Sequence, residues 1–405
     1  MTEPENQFKP LLSVVIVTYN SIPFIGLTLA SLLKKPHPRC EIIVVDNNST
    51  DGTVEYIKSS FPQITVIQNH HNPGFGIACN QGMAEARGAF FLMLNPDTIV
   101  PEDVVEKILD FMTLHPGCGA MGVKMIDGNG RYLPESKRGL PTFSRSAFRM
   151  LGLAKWFPSS HRFSGYYLGH LPVDKINKIE ILSGAFMVLT RTAIEKCGGF
   201  DERFFMYGED IDLSWRIKEA GFDVYYNPDI TIIHFKGEST TRDVRYLGVF
   251  YEAMEIFYDI HFGKKRKPFF KVLVRLLILV TKLLSTLRLL ISQNLTKQKT
   301  IFPLKGKFMV FSTTKNISSI IPKQILADDE PQIVNAPIQM ENYLSGNMLF
   351  DFSSFSADFV IRTIEKNEYD RDVMMLTHDR CYLLYPVSAS RRTYVFSLID
   401  FKVES

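Results

Sequence analysis

The first hundred or so residues alternate between short apolar runs and segments with helical periodicity. The apolar runs are rich in Val, Ile and Leu, and they predict buried strands at residues 11–18, 41–46, 64–68 and 90–94. The segments that follow them predict helices at residues 23–35, 53–60, 77–86 and 101–115. Strands joined through single helices form mostly parallel sheets covered on both faces, so the sequence predicts an α/β fold.

Polar residues follow three of these predicted strands, at the point where each strand ends. They are Thr18, Tyr19 and Asn20, then Asp46 to Ser49, then Asn95 to Asp97. Open α/β sheets bind ligands at the carboxyl ends of their strands, so these clusters predict a binding site. The same residue types also fill ordinary turns, and that interpretation stays open.

A second polar feature lies near residue 210, where three carboxylates occupy four positions. Glu209, Asp210 and Asp212 follow Gly208 and precede an apolar-periodic segment, which predicts a turn into a helix. Carboxylates in the first turn are favoured by the helix dipole, and one at the mouth of a cleft can act as a general base. An acidic helix start without catalytic function is the alternative. Further on, residues 223–226 and 230–234 predict two short strands, the second ending at His234.

A glycine-rich loop at residues 72–76 opens the predicted helix at 77–86. Its glycines allow backbone N–H groups to approach an anionic or sugar group. The loop lacks a P-loop lysine and a complete GxGxxG pattern, which argues against ATP hydrolysis and dinucleotide binding. A glycine-rich turn without a ligand remains the alternative.

Charge and cysteine content narrow the class of protein. The net charge is only +3, which argues against a nucleic-acid-binding protein. The five cysteines are scattered without CxxC spacing, which indicates a reducing compartment and neither a disulfide framework nor a cysteine zinc site. The apolar run at 11–17 is too short, and lacks the basic flank, for a signal peptide.

A different pattern begins after residue 262. A basic run at 264–267 precedes a Leu-rich segment at 269–292 that carries four cations, which argues against a membrane span. The pattern predicts a basic amphipathic helix on an anionic membrane surface, with packing on a partner helix as the alternative. The remaining residues predict a small α/β domain whose role the sequence does not reveal. The predicted divisions are 1–262, 263–300 and 301–405.

The motifs together resemble the family-2 glycosyltransferases, which have the GT-A fold, and in particular the rhamnosyltransferase-type members. The resemblance runs from about Leu12 to Ser239, and the order and spacing of its pieces are specific although each piece alone is weak. The pieces are Val17–Asn20, Val44–Thr53, Asn72–Gly76, Asn80–Gly82, Leu94–Asp97, Ser183–Met187, Gly198–Glu202, Tyr207–Asp210 and His234.

This resemblance implies roles for individual residues. Asp46 would read the base of a nucleotide sugar, Asp97 and His234 would hold a divalent metal on its diphosphate, and Asp210 would be the general base. Further contacts to the nucleotide sugar would come from Thr18, Tyr19, Asn20, Asn48, Gly74, Asn80 and Asn95. Many relatives carry Asp where this chain has Asn95, so the predicted metal site has one charge fewer.

Transfer from a nucleoside diphosphate sugar builds negative charge on the leaving diphosphate, which Mg²⁺ or Mn²⁺ can neutralise. A histidine ligand favours Mn²⁺, although a strand-end histidine bonded to a backbone carbonyl is the alternative for His234. One base without a second carboxylate as nucleophile predicts a single displacement, and therefore inversion at the anomeric carbon. Glu209 and Trp215 are candidates for acceptor binding, Trp215 equally for the core, and Asp212 for capping the helix. Arg87, Lys124 and Arg138 are candidates to face the diphosphate.

The sequence therefore predicts an inverting, metal-dependent glycosyltransferase that builds a surface polysaccharide. Its donor would be a nucleoside diphosphate rhamnose or hexose, and its acceptor lipid-linked or a polysaccharide. The amphipathic segment predicts a peripheral protein on the cytoplasmic face of the inner membrane. Two alternatives stay open, namely a degenerate relative that scaffolds polysaccharide assembly and a nucleotidyltransferase on a related fold.

Overall fold

A computed structural model gives the fold. It describes residues 11–150, 152–235, 244–262, 275–276, 278–283, 285–286, 308–314, 317, 320–321, 332–334, 347–366, 373–386 and 393–398. The predicted basic run at 264–267 and more than half of the Leu-rich segment at 269–292 lie outside these residues. The division of the chain at residues 262 and 300 stays a prediction.

A nine-stranded sheet organises the first part of the chain. Its strands are β1 (Leu12–Thr18), β2 (Cys40–Asp46), β3 (Thr65–Gln68), β4 (Phe90–Leu94), β5 (Thr98–Ile99), β6 (Cys118–Ile126), β7 (Asn177–Lys178), β8 (Phe186–Thr190) and β9 (Asp223–His234). They lie in the order β3-β2-β1-β4-β8-β6-β9-β5, with β7 paired to β9. The first four are parallel, as predicted, whereas β8 runs antiparallel between β4 and β6. The predicted α/β class is confirmed, with a mixed second half.

Helices cover both faces of this sheet. They are α1 (Ile22–Leu33), α2 (Thr53–Ser60), α3 (Phe75–Glu85), α4 (Val104–Leu114), α5 (Phe143–Met150), α6 (Leu153–Trp156), α7 (Arg191–Cys197), α8 (Glu209–Glu219) and α9 (Val244–His261). Alternate residues of β1 enter two different apolar clusters. Leu12, Val14 and Ile16 pack with α1, α2 and α4, and Val15 and Val17 pack with α3 and α8. A strand buried on both faces explains the continuous apolar runs of the sequence.

One strand differs from its prediction. Residues 223–226 and 230–234 form a single strand, β9, that pairs with β6. The register shifts between Asn227, opposite Val123, and Thr231, opposite Lys124. Pro228 lies in this irregularity, and because proline has no N–H to donate to a ladder, it is tolerated in a strand at such a bulge. Pro228 and its polar neighbours interrupt the apolar pattern of the sequence, but the strand continues through them.

A second sheet has six strands and packs against the first. They are β10 (Phe308–Phe311), β11 (Gln332–Val334), β12 (Asn347–Asp351), β13 (Val373–Leu376), β14 (Tyr382–Tyr385) and β15 (Tyr394–Ser397), accompanied by helix α10 (Ala357–Glu365). Their order is β11-β10-β12-β13-β14-β15. One apolar cluster joins residues of this sheet with Phe24, Leu27 and Phe235 of the first part. The second sheet therefore shares an apolar core with the larger sheet.

Residues 275–286 are helical wherever they are described. Across the described ranges, no helix combines the length and apolar character needed to cross a bilayer.

Candidate active site

The carboxyl ends of β2, β1 and β4 lie side by side, with β1 in the middle. Thr18 at the end of β1 is in register with Asp46 at the end of β2. Asp46 is fully buried, and its Oδ2 accepts a hydrogen bond from the backbone N–H of Ser49 at 2.9 Å. Thr18 is also buried, and its Oγ1 has no hydrogen-bond partner among the described residues. Two predicted donor-binding residues thus meet at one edge of the sheet.

The loops after β1 and β2 form the exposed rim of this edge. Tyr19, Asn20 and Asn48 are exposed, and the two asparagines adopt left-handed backbone angles of +50° and +65°. Asn20 links the two loops, because its Oδ1 accepts from the backbone N–H of Thr50 and its own N–H donates to Ser49 Oγ, both at 2.8 Å. The loops are therefore fixed against each other before any ligand binds.

Asp97 and His234 come together through the pairing of β5 with β9. Thr98 lies opposite His234, and the backbone N–H of Phe235 donates to the carbonyl of Asp97 at 3.0 Å. This pairing brings His234 Nε2 to 3.4 Å from Asp97 Oδ1 and to 3.4 Å from Asn95 Nδ2. Both side chains are buried, although 137 residues of chain separate them. The predicted metal ligands share one pocket wall.

The carboxylate oxygen of Asp97 and the imidazole nitrogen of His234 suit a hard or borderline divalent cation. Asp97 Oδ1 is buried and has no hydrogen-bond partner among the described residues. Neighbouring ligand atoms of an octahedral ion with bonds of about 2.1 Å are about 3 Å apart, close to the observed 3.4 Å between oxygen and nitrogen. Within the described ranges no group of three His, Cys, Asp or Glu side chains forms a cage. An ion held here would therefore take its other ligands from phosphate and water.

Asp210 lies in the first turn of α8, after Gly208, whose φ of +90° makes the turn into the helix. Its Oδ2 accepts from Arg138 Nη2 at 2.5 Å and from the backbone N–H of Gly184 at 3.1 Å. The side chains of Arg138 and Asp210 are only 13% and 14% exposed, so water screens this ion pair weakly. Asp210 is thus a fixed carboxylate with a buried cationic partner.

A short stretch of backbone connects Asp210 to the pair Asp97 and His234. The N–H of Gly184 donates to Asp210, and the carbonyl of the next residue, Ala185, accepts from the N–H of Asn95 at 3.0 Å. Asn95 in turn lies beside His234. Three contacts, through Gly184, Ala185 and Asn95, therefore link the candidate base to the candidate metal ligands.

Glu209, the neighbour of Asp210, is buried rather than presented to an acceptor. Burial, together with the charge of Asp210, raises the pKa of Glu209 from its ordinary 4.5 to about 8. Its Oε2 has no hydrogen-bond partner in the described part of the chain. Burial therefore favours the protonated, neutral form of Glu209.

Asp212 and Trp215 are packed against α9. Asp212 is fully buried and does not cap the helix, because its oxygens contact His261 Nε2 at 2.7 Å and Arg216 Nη2 at 2.6 Å. Trp215 lies against the rings of His261 and Phe262. The core interpretation of Trp215 thus accounts for its contacts, and the acceptor-platform role stays a prediction without a contact to support it.

The remaining predicted donor-binding residues belong to the α3 region. A Cβ atom at Gly74 would lie 2.5 Å from the carbonyl oxygen of Phe205, and the residue has a φ of +103°, so this position requires glycine. Asn80 uses both polar atoms on the backbone of Phe200, donating to its carbonyl at 2.9 Å and accepting from its N–H at 2.8 Å. Asn80 therefore fixes a loop, and its role in donor binding is a prediction that these contacts do not support.

The three basic candidates for the diphosphate separate in the structure. Arg87 pairs with Glu41 at 2.7 Å and is 72% exposed. Lys124 pairs with Glu365 of the second sheet unit. Arg138 alone lies at the candidate site, on Asp210. Its pairing with a residue 72 positions away was not predicted, because sequence spacing contains no information about a contact across the sheet.

Comparisons with known proteins agree with these observations. The family model described as glycosyl transferase family 2 matches residues 13–175. An N-acetylglucosaminyl-diphospho-decaprenol L-rhamnosyltransferase of Mycobacterium tuberculosis is 31% identical over 271 residues, which is 64% of this chain and 87% of that protein. A poly-beta-1,6-N-acetyl-D-glucosamine synthase of Staphylococcus epidermidis is 24% identical over 230 residues, which is 56% of this chain and 50% of that protein.

Solved structures with similar folds include a mannosyltransferase of Pyrobaculum calidifontis in complex with GDP-Man and Mn²⁺. It is 17% identical, with a TM-score of 0.43, over 72% of this chain and 77% of that one. Staphylococcus aureus TarS 1–349 in complex with UDP-GlcNAc is 19% identical, with a TM-score of 0.42, over 61% of this chain and 65% of that one.

Proposed function

This chain belongs to glycosyl transferase family 2, and on that premise we propose that it moves rhamnose or a hexose from a nucleoside diphosphate sugar to an acceptor hydroxyl. The acceptor would be lipid-linked or a polysaccharide, by analogy with the mycobacterial rhamnosyltransferase and the staphylococcal synthase. One observation carries the proposal: Asp97, His234 and Asp210 converge at the carboxyl edge of a parallel sheet, where α/β proteins bind ligands.

The nucleoside would lie over the ends of β1 and β2. Asp46 is held in place by Ser49, and a buried carboxylate with free acceptor capacity suits the N–H groups of a base. Thr18 Oγ1 offers a second, unpartnered polar atom beside it. The sugar diphosphate would then extend from β1 toward β4, where Asn95 and Asp97 follow the strand.

Asp97 Oδ1 and His234 Nε2 would hold the divalent cation. Bound there, Mg²⁺ or Mn²⁺ neutralises charge on the leaving diphosphate. Asn95 Nδ2 lies 3.4 Å from the same Nε2, so Asn95 would have to release this nitrogen for the cation. In the part of the chain that the structure describes, no third such ligand joins this pair, so phosphate oxygens would complete the coordination.

Asp210 would accept the proton of the attacking hydroxyl. Gly184 and Arg138 fix its carboxylate, and because burial favours the neutral form of Glu209, that residue does not compete as a second charged base. For this transfer, Arg138 must leave one side of the Asp210 carboxylate accessible to the acceptor hydroxyl. With one charged carboxylate beside the acceptor, we infer a single displacement with inversion, which ¹H NMR of the fresh product would test by the anomeric coupling.

A panel of nucleotide sugars tests the function directly. The full chain is incubated with Mn²⁺ and each donor, with and without a polyprenyl diphosphate sugar, and the released nucleotide is identified. Nucleoside diphosphate release that requires acceptor supports the proposal. Pyrophosphate release would indicate a nucleotidyltransferase, and no release with any donor would favour a scaffold; either result contradicts the proposal.

We further propose that the helix at residues 275–286 attaches the protein to the cytoplasmic face of the inner membrane. Ile278 is buried, Arg275 pairs with Asp259 of α9 at 2.9 Å, and Ser285 bonds to Tyr251 at 2.9 Å. The other side of the helix exposes four apolar residues, between 45% and 61%: Leu276, Leu279, Val280 and Leu283. An apolar stripe on a helix with nearby cations fits a lipid surface.

Vesicle flotation tests this attachment. We expect the full chain to float with vesicles containing anionic lipid and much less with neutral vesicles. The double variant Leu279→Ser and Leu283→Ser removes apolar area from the exposed side of the helix, so we expect at least a tenfold loss of binding. Leu114→Ser, at a residue 76% exposed on α4, is the matched control. Equal flotation of all three proteins would contradict the proposal.

A further inference from the structure

The second sheet has a point where the order of its strands reverses. Strand β10 pairs in parallel with β11 on one side and with β12 on the other. The chain therefore leaves β10 toward one edge and, after β11, returns to the opposite side. In open α/β sheets the carboxyl ends of the strands at such a point border a crevice, and ligands bind there.

Polar residues gather at this crevice. Asp351 is the last residue of β12, follows three apolar residues and is fully buried. Its carboxylate accepts hydrogen bonds from Ser312 Oγ at 2.7 Å, after β10, and from Ser354 Oγ at 2.8 Å. Burial opposes the charge of Asp351, but the bonds from these hydroxyls and from Arg380 outweigh it and lower its pKa. The crevice therefore contains a charged carboxylate.

Arg380, which follows β13, spans the crevice. Its Nη2 lies 2.6 Å from Thr314 Oγ1, 2.6 Å from Ser353 Oγ and 3.1 Å from Asp351 Oδ2. The side chain is 30% exposed, and its Nη1 makes no hydrogen bond to any residue that the structure describes. Asp351 thus orients a partly exposed guanidinium. Thr313, between Ser312 and Thr314, is exposed at the same strand end, whereas Ser353 Oγ already donates to Asp351 Oδ1 at 2.7 Å.

Stability alone does not account for this arrangement. Apolar residues in place of a buried ion pair are often neutral or stabilising, so such a pair is weak evidence for a structural role. The N-terminus of α10, the other donor at this edge, is already used: the N–H groups of Ala357 and Asp358 donate to Glu102 at 2.5 and 3.0 Å. Among the described residues, the donors without a hydrogen bond at this edge are therefore Arg380 Nη1 and the hydroxyl of Thr313.

We propose that this crevice is a second ligand site, separate from the donor site, that binds the phosphate group of a small phosphorylated ligand through Arg380 and Thr313. A planar guanidinium with an adjacent hydroxyl matches the geometry and charge of a phosphate. The site also adjoins the catalytic unit, since Lys34 at the end of α1 bonds to the carbonyl of Phe355. Because α1 begins beside the loop of Asn20, occupancy of the crevice can influence the donor site.

Isothermal titration of the full chain in EDTA tests the proposal. The probes are inorganic phosphate and the common nucleoside monophosphates, because chelation removes the cation on which diphosphate binding at the donor site depends. We expect saturable binding of at least one probe, weakened at least tenfold by Arg380→Gln, as for loss of a charged hydrogen bond. Arg362→Gln, at an exposed arginine on α10, and Asp97→Asn at the donor site should leave it unchanged.

Thr313→Val gives an independent result if Arg380→Gln lowers stability, since Thr313 lies on the exposed rim. We expect this variant to unfold at the wild-type temperature and to bind the probe at least threefold more weakly. Absence of binding by the wild type at millimolar probe, or binding unaffected by either crevice variant, would overturn the proposal. Binding abolished by Asp97→Asn would assign the probe to the donor site and equally reject the crevice.

Discussion

Replacing Glu209 with glutamine removes a buried acid without changing its shape. The folded protein raises the pKa of Glu209 from 4.5 to about 8, and the difference corresponds to about 5 kcal/mol at 1.36 kcal/mol per unit. Below pH 4.5 the residue is protonated in both states. Between pH 4.5 and 8 the unfolded chain releases its proton while the folded chain keeps it, so stability falls as pH rises. Above pH 8 the full penalty is present.

We therefore expect the free energy of unfolding of the wild type to fall relative to Glu209→Gln by about 3–5 kcal/mol between pH 5 and 8.5. Urea titrations at several pH values, followed by tryptophan fluorescence, measure this difference. Trp215 lies on the same helix as Glu209, and the exposed Trp156 is replaced by Phe in all proteins so that the signal reports on α8.

Glu219→Gln is the matched control, because Glu219 is exposed at the other end of α8. The free energy of unfolding of this variant should change with pH in the same way as that of the wild type. A stability difference between wild type and Glu209→Gln that does not change with pH would refute the reasoning. Glu209 would then be ionised in the folded protein.

Three further predictions concern the same site. Arg138→Gln leaves the carboxylate of Asp210 buried without its cation, so the free energy of unfolding in a urea titration should fall by about 3–5 kcal/mol. The control Arg203→Gln, at an exposed ion pair, should lower it by less than about 1 kcal/mol. Equal losses in the two variants would contradict the buried pairing. Gly74→Ala forces a Cβ against the carbonyl of Phe205, so it should destabilise the folded protein by about 1–3 kcal/mol and weaken donor binding. An unchanged melting temperature would contradict this prediction. Removal of divalent cations should lower donor affinity at least tenfold in a titration, restored by Mn²⁺; metal-independent affinity would contradict the proposed ligands.

The sequence predicted the first sheet well because its strands have a strong local pattern. Strand β1 is buried on both faces, so its run of β-branched residues identifies it without tertiary information. The second half of the sheet was harder, because β8 and β9 pair across large sequence separations. Pro228 divided β9 into two predicted strands, and only its pairing with β6 shows the continuity.

The candidate site was predictable where it depends on strand ends and not where it depends on contacts between distant segments. Asp46 and Asp97 follow strands, so their position at one edge could be deduced. The burial of Glu209 and the pairing of Asp210 with Arg138 depend on how α8 packs against the sheet. No local pattern encodes that packing, so these contacts became visible only in the folded chain.

The central claim is that Asp210 acts on the acceptor while the strand ends hold the donor, and one variant tests it most directly. Asp210→Asn keeps the shape of the side chain and removes its basicity. Donor affinity with Mn²⁺ should stay within threefold of wild type, and turnover should fall by about 10²–10⁴-fold. Loss of donor affinity together with turnover, or turnover that persists, would contradict the account.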